Sequence, residues 1–197
     1  RDVDSVLVIN KNEGSLYLLN SNELLKYYDN FVMKIRITSP GTYNLTIKGR
    51  NTYNATIYWG DGGSDTVMFN GNDQLLSHSY ATSGDYIISI TGDTGQIQKI
   101  AGVDVLDVNT IRLLRLNTLS LQGVDEEVSF NLPNTLLDEL YLYDFDINSL
   151  SFASLTNLET LTINDCTLPT LDISTNNKLY QINLQNNSLS SSDVDNI

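Results

Sequence analysis

The stretch LDISTNNKLYQINLQNNSLS, residues 171–190, returns Leu or Ile at a spacing too regular for a loop. Read backwards in steps of 21, it aligns with three earlier units, so that four units start at Leu116, Leu137, Leu158 and Leu179. Three residues into each unit stand Leu119, Leu140, Leu161 and Ile182; two further on stand Leu121, Leu142, Ile163 and Leu184. Side chains alternate across a strand, so those two columns put a pair of apolar residues inside from one short strand per unit. A fixed short period means stacked coils, each burying its apolar edge against the next. The column after the strand holds Val124, Phe145, Cys166 and Asn187, and a further apolar column holds Ile147, Leu168 and Leu189. Asn or Cys there turns inward to satisfy backbone groups as the chain leaves the strand; Val124 and Phe145 predict apolar packing instead. A coil of 21 residues is too short for a full helix on its return side, so extended or 3₁₀ segments are expected there, with LDIS at 171–174 as a minor strand. Phe130 and Pro133 make the return of the first unit irregular.

Both ends of the repeat need covering. Upstream, GQIQKIAGVDVL (95–106) keeps alternating apolar residues without the leucine spacing and reads as the cap that joins the repeats to what precedes them. Downstream, LSSSDVDNI (189–197) reads as a serine N-cap and the first turn of a capping helix that stops short, so the expectation is either that the natural chain continues or that an assembly partner covers the C-terminal edge.

Before residue 96 the period changes to two. FVMKIRI, YNLTIKG, NATIYWG, DTVMF and DYIISITG are short β-branched or aromatic runs, separated by Pro40-Gly41, Asp61-Gly62-Gly63, Asn70-Gly71 and Ser83-Gly84. Short strands at this spacing predict a β-sandwich over 31–95. Trp59 ends a strand with its ring in the core, Gly60 to Gly63 turn the chain, and Asp61 bonds nearby backbone amides. Gly84-x-Tyr86 has the spacing of a tyrosine corner, whose hydroxyl ties back to backbone. Residues 1–30 form a lead-in: a hairpin around Asn10 to Gly14, then a short helix capped by Asn20 or Ser21 and carrying Leu24, Leu25 and Tyr28.

At 197 residues and 41% hydrophobic content the chain can build real cores. Its net charge of −13 repels phosphate backbones, so nucleic acid is not an expected partner. The acidity is uneven: residues 1–100 hold ten acids and eight bases, residues 101–197 fourteen acids and three bases. The single cysteine, Cys166, excludes an internal disulfide and multi-cysteine metal sites. No apolar run approaches the roughly 20 residues that span a bilayer as a helix. A chain that starts at Arg1 reads as trimmed, which leaves the compartment open.

These motifs carry two resemblances. WGDG (59–62), HSY (78–80) and SGDYIISI (83–90) resemble, in that order, the PKD-like immunoglobulin-type domains of bacterial and phage surface proteins. The L-x-x-L-x-L core of residues 96–197 resembles the leucine-rich repeat, and residues 171–190 look like the short repeats of Bacteroidetes surface proteins and some phage structural proteins. The resemblances imply a mainly β chain in which a PKD-like sandwich runs into a short solenoid arc. They imply a non-catalytic binding or adhesion module, extracellular or on the bacterial cell surface, that recognises protein or glycan through an acidic concave face and needs no cofactor. A phage virion or tail decoration protein is the alternative, and a polysaccharide hydrolase accessory protein a third reading.

By alternation, the outward residues of successive repeat strands are Thr118, Ser120 and Gln122; Glu139, Tyr141 and Tyr143; Thr160, Thr162 and Asn164; Gln181, Asn183 and Gln185. The candidate contacts are those from Glu139 onward, because tyrosines flanked by amides and hydroxyls stack on sugars or anchor protein contacts. Solitary His78 lacks a partnered nucleophile and reads as structural, as does Cys166 in its inward column. Asp61, Asp65 and Asp73 are turn carboxylates of the kind that hold a loop calcium, but without EF-hand spacing, and the metal-free reading is preferred. Asp125-Glu126-Glu127, Asp138-Glu139 and Asp144 with Asp146 read as solvated charge rather than an acid–base pair.

Overall fold

The computed structural model describes residues 6–10, 15–20, 23–26, 31–50, 52–109, 113–124, 126–130, 132, 136–168 and 170–189. The chain is mainly β, with a β-solenoid-like C-terminal region. β1 (Val6–Asn10), β2 (Ser15–Asn20) and β3 (Glu23–Lys26) form an antiparallel three-stranded sheet of their own. The short helix expected to carry Leu24 and Leu25 is therefore corrected to strand over Glu23–Lys26, where Leu24 and Leu25 pair with Leu19 and Leu18; Tyr28 lies outside the described residues. A helix this short must offset its own nucleation, whereas the neighbouring strand offers backbone partners at once.

Six strands follow: β4 (Phe31–Ile37), β5 (Gly41–Gly49), β6 (Thr52–Tyr58), β7 (Ser64–Asn70), β8 (Asp73–Tyr80) and β9 (Gly84–Thr91). A 3₁₀ turn at Thr94–Gln96 then leads into the long β10 (Ile97–Asn109). One layer runs β10, β4, β9, β6, β7; the other places β5 between β8 and β10. Period-two alternation fills the space between them: Phe31, Met33 and Ile35 from β4, Leu45 and Ile47 from β5, Ala55 and Ile57 from β6, and Ile88 and Ile90 from β9 are all buried. β8 lies outside the apolar runs of the sequence. Its inward side is Leu76, His78 and Tyr80, and its outward side carries the exposed Leu75, so its hydrophobic alternation is disguised.

The WGDG turn is held from several sides. Gly60 and Gly62 take positive φ, 89° and 95°, and Asp61 Oδ1 accepts the Gly63 N–H at 2.9 Å. Trp59 is fully buried and donates its indole N–H to Asp65 Oδ2, while Tyr80 donates to the Trp59 carbonyl at 2.7 Å. Tyr86 donates its hydroxyl to the Thr82 carbonyl at 3.0 Å, the tie that the Gly84-x-Tyr86 spacing predicts.

β10 belongs to both halves of the chain. Its first part pairs antiparallel with β5 (Ala101 opposite Thr46) and parallel with β11 (Thr118–Gly123); its second part pairs antiparallel with β4. A bulge between Gly102 and Val105 makes the change, and within it Asp104 sits in the left-handed region at φ 54°. A Cβ on Gly102 would stand 3.0 Å from the Tyr43 hydroxyl, a tight contact that the tyrosine would have to relieve by a small shift.

The remaining strands are β12 (Glu127–Phe130), β13 (Glu139–Tyr143), β14 (Asp146–Leu150), β15 (Thr160–Asn164) and β16 (Gln181–Asn183). β11, β13, β15 and β16 pair in parallel, with Thr118 opposite Glu139, Glu139 opposite Thr160 and Thr160 opposite Gln181, so the strand register equals the 21-residue sequence period. Leu119, Leu140 and Leu161 stack fully buried inside. Leu179, Ile182, Leu184 and Leu189 of the last described coil are only partly buried against the same core.

On the return side the minor ladder is β12 with β14, and LDIS at 171–174 is not a strand. After β14 the pairing shrinks to a single bridge from Asp146 to Thr167. Two residues later comes Pro169, which has no N–H to give a ladder. Single i→i+3 turns close this side instead, such as Leu158 N–H to the Leu155 carbonyl and Leu179 N–H to the Asn176 carbonyl, both 3.0 Å. The helix start read at 190–197 lies outside the described residues.

One ion-pair cluster joins the halves. Arg36 on β4 donates Nε to Asp85 Oδ1 at 2.8 Å and Nη2 to Oδ2 at 3.2 Å, and its Nη1 reaches Glu126 beside β12. Arg36 and Lys34 hold the Asp85 carboxyl down at about 2. A depressed carboxyl contributes stability that is complete above its unfolded pKa near ~4 and is lost as pH falls through the folded value. Circular-dichroism melts of Asp85→Asn are therefore expected to show a lowered Tm at pH 7 that converges on the parent between pH 4 and 2. The shift should be small because the pair is partly exposed; an equal deficit at every pH would remove the ion pair as its cause.

Candidate functional site

The shared strand turns two half-sheets into one continuous surface. Across seven described strands the register runs Leu75, Thr46, Ala101, Ser120, Tyr141, Thr162, Asn183, one residue each from β8, β5, β10, β11, β13, β15 and β16. Every member of this row faces outward and none is charged. The parallel row below it carries Asp73, Lys48, Lys99, Thr118, Glu139, Thr160 and Gln181, with Lys99 paired to Asp73 at 2.5 Å.

The concave face is thus not acidic, contrary to the expectation from the charge of its half. Among the twelve outward repeat positions Glu139 is the only carboxylate. Four of the acids flank strands instead: Asp138 and Glu159 just before them, Asp144 and Asp165 just after. Burial, with Glu159 and Glu139 adding repulsion, raises the Asp138 carboxyl. Asp144, Asp165 and Asn186 repeat a left-handed conformation (φ 56°, 56° and 57°) at the 21-residue spacing, a column the leucine pattern does not reveal.

The nine candidate contacts separate by environment. Thr160 and Thr162 are only 4% and 5% exposed, because longer neighbours in register, Glu139 and Tyr141 on one side and Gln181 and Asn183 on the other, cover them. They are corrected from contact residues to filler. Asn164 accepts the Gln185 N–H at 3.0 Å, a bond between coils. Glu139 accepts from Thr118 Oγ1 at 3.3 Å and from the Tyr141 hydroxyl at 3.4 Å. Burial, then Glu139, pushes the Tyr141 phenol pKa up. Tyr141, Tyr143 and Asn183 are half-buried, and Gln181 and Gln185 exposed.

The other candidates do not converge. Asp61 Oδ2 pairs with His78 Nε2 at 2.8 Å, Asp65 takes the Trp59 indole and Asp73 takes Lys99, so the three carboxylates have three separate partners. No group of three metal-ligating side chains occurs among the described residues. His78 lies flat on Trp59 with ring centroids 4.9 Å apart, and its bond holds Asp61 below the usual carboxylate range. Cys166 is buried, its Sγ–H donates to the Asn164 carbonyl, and its N–H donates to Asn187 Oδ1. Burial raises its thiol pKa, which disfavours the reactive thiolate.

A feature not anticipated from sequence opens where the row crosses β10. The connection from β4 to β5 (Thr38 to Gly41), the β10 bulge and the outward residues of β11 and β13 enclose a cleft of about 600 Å³. Its walls include Thr42, Asn44, Leu75, Asp104, Gln122 and Tyr143. Tyr43 beneath donates to the Val103 carbonyl at 3.0 Å, bracing the bulge. Burial raises the Asp104 carboxyl, which has no hydrogen-bond partner among the described residues.

No helix among the described residues is long and apolar enough to cross a membrane. No family model, curated protein or solved structure matches the chain.

Proposed function

We propose that this chain is a non-catalytic recognition module of the bacterial cell surface, in which a PKD-like sandwich carries a short leucine-rich-repeat arc and the outward sheet face binds protein or glycan. One observation supports the reading above others: an outward row of uncharged side chains, Thr46, Ser120, Tyr141 and Asn183 among them, runs across both halves. Tyr141 in that row and Tyr143 two residues on are the aromatic anchors, on a strand held by a neighbour on each side. A large face built on rigid strands presents side chains at fixed spacing and loses little entropy on binding.

The double variant Tyr141→Ala, Tyr143→Ala is expected to reduce binding to a cell or glycan array at least tenfold, with Tm near that of the parent. Unchanged binding would sink this site assignment. Loss of binding together with a collapsed Tm would show the tyrosines to be structural.

A further inference from the structure

We infer that the cleft at the β10 bulge is the principal subsite of this face and that its ligand is an uncharged oligosaccharide. The inference rests on the binding role proposed for the face and narrows it to a place and a chemistry.

The charge of the cleft comes first. No Lys or Arg lines it and Asp104 is its single carboxylate, so neither an anionic ligand nor a polycation finds a counter-charge. The backbone comes second. β5 pairs with β8 from Gly41 to Lys48 but with β10 only from Thr46 to Gly49, so its Gly41–Leu45 edge beside the cleft has no ladder partner on that side among the described strands. Strand addition by an extended peptide is the competing mode there, and the sugar assignment rests on the side chains.

Those side chains are oriented by their neighbours. Asn44 accepts the Ser77 hydroxyl on Oδ1 at 2.7 Å, so its amino group is left to donate. Gln122 donates Nε2 to Asp144 Oδ2 at 2.7 Å, so its carbonyl oxygen is left to accept. Asp104 adds a carboxylate acceptor, Thr42 a hydroxyl, and the exposed Leu75 and the Tyr143 ring add apolar surface. Fixed donors and acceptors beside apolar patches match a sugar ring, whose hydroxyls do both and whose C–H face is apolar. The volume lies within the usual range for small-ligand clefts, roughly 300–1,000 Å³.

The test uses the whole chain, fluorescently labelled, on an array of neutral and anionic oligosaccharides, followed by calorimetric titration with the best neutral hit. Asn44→Ala and Asp104→Asn are each expected to weaken that binding at least tenfold. The amide keeps the left-handed preference of position 104, and far-UV circular dichroism checks the fold. Thr66→Ala, exposed on the other layer, is expected to bind like the parent. Absence of any neutral hit, or binding of anionic glycans alone, overturns the inference; if cells are then still bound through Tyr141 and Tyr143, the face recognises protein and the broader reading stands. Neutral binding lost in Tyr141→Ala, which lies outside the cleft lining, but untouched in both cleft variants also overturns it. Binding lost in both cleft variants but untouched in Tyr141→Ala keeps the cleft and removes Tyr141 from the site.

Discussion

Gly123→Ala should cost the solenoid about 3 kcal/mol, at the upper end of what overpacking usually costs. An ideal Cβ at this position meets Phe145 Cδ1 at 2.5 Å and the Asp144 carbonyl oxygen at 2.6 Å, distances that real Cβ atoms do not keep. The phenylalanine cannot swing clear, because it is 2% exposed and packed edge-on against Phe130 with centroids 5.0 Å apart. The carbonyl cannot move freely either, since Asp144 is held at φ 56° and its N–H donates to the Asn164 carbonyl at 3.3 Å. Relief would have to pass into the neighbouring coil. In urea titrations the midpoint is expected to fall with the slope unchanged, the signature of altered stability within the same transition. Gly41→Ala serves as the reference, because its Cβ would find its nearest neighbour at 3.8 Å. Equal losses from the two substitutions would show that the contact with Phe145 is not what position 123 requires.

Gly123 also marks where sequence reading stops. The leucine columns were legible because in a parallel stack the register repeats the sequence period, so Leu119, Leu140 and Leu161 align on paper as they do in space. The turn column was not, because Gly123, Asp144, Asp165 and Asn186 share no hydrophobicity. What three of them share is tolerance of a left-handed backbone, a property of conformation rather than of polarity. The strand β8 was hidden for a related reason: it buries a histidine against Trp59 and exposes Leu75, which reverses the usual signal. At β3 the error was one of context, since a Leu-Leu pair beside an N-cap serves helix or strand, and the choice was made by an available neighbour.

The candidate site was half legible. Alternation was enough to place Tyr141 and Tyr143 outward, but it could not say that Thr160 and Thr162 are overshadowed, because burial within a sheet depends on side-chain length in the adjacent strands. Counting charge by half of the chain also misled. Four acids of the repeat, Asp138, Asp144, Glu159 and Asp165, flank strands rather than point from the face, on whose twelve outward repeat positions Glu139 is the one carboxylate. The cleft was not legible at all. Its walls come from segments far apart in sequence, and only the change of partner along β10 brings Asn44, Asp104 and Tyr143 to one place.

That change of partner has its own expected consequence: the two halves should unfold together. Ile100 sits at the crossing, fully buried, opposite Ile47 on one side and Leu119 on the other. Ile100→Ala removes apolar volume from a strand that both cores use, and losses for such truncations run to about 2–5 kcal/mol. The chain carries one local probe in each half. Trp59, the single tryptophan, reports the first part by fluorescence; Cys166, the single cysteine, reports the repeat part by thiol labelling, since its burial protects it until the coil opens. In the parent the two probes are expected to share a urea midpoint, and Ile100→Ala is expected to lower both by the same amount, as a single cooperative transition requires. If Cys166 becomes reactive at lower urea while Trp59 fluorescence is still native, the repeat opens independently and β10 is a hinge rather than a shared beam. The proposed binding face would then be continuous only part of the time. In that case a ligand spanning β5 to β13 should draw the two midpoints together, because it stabilises only the state in which both halves are intact.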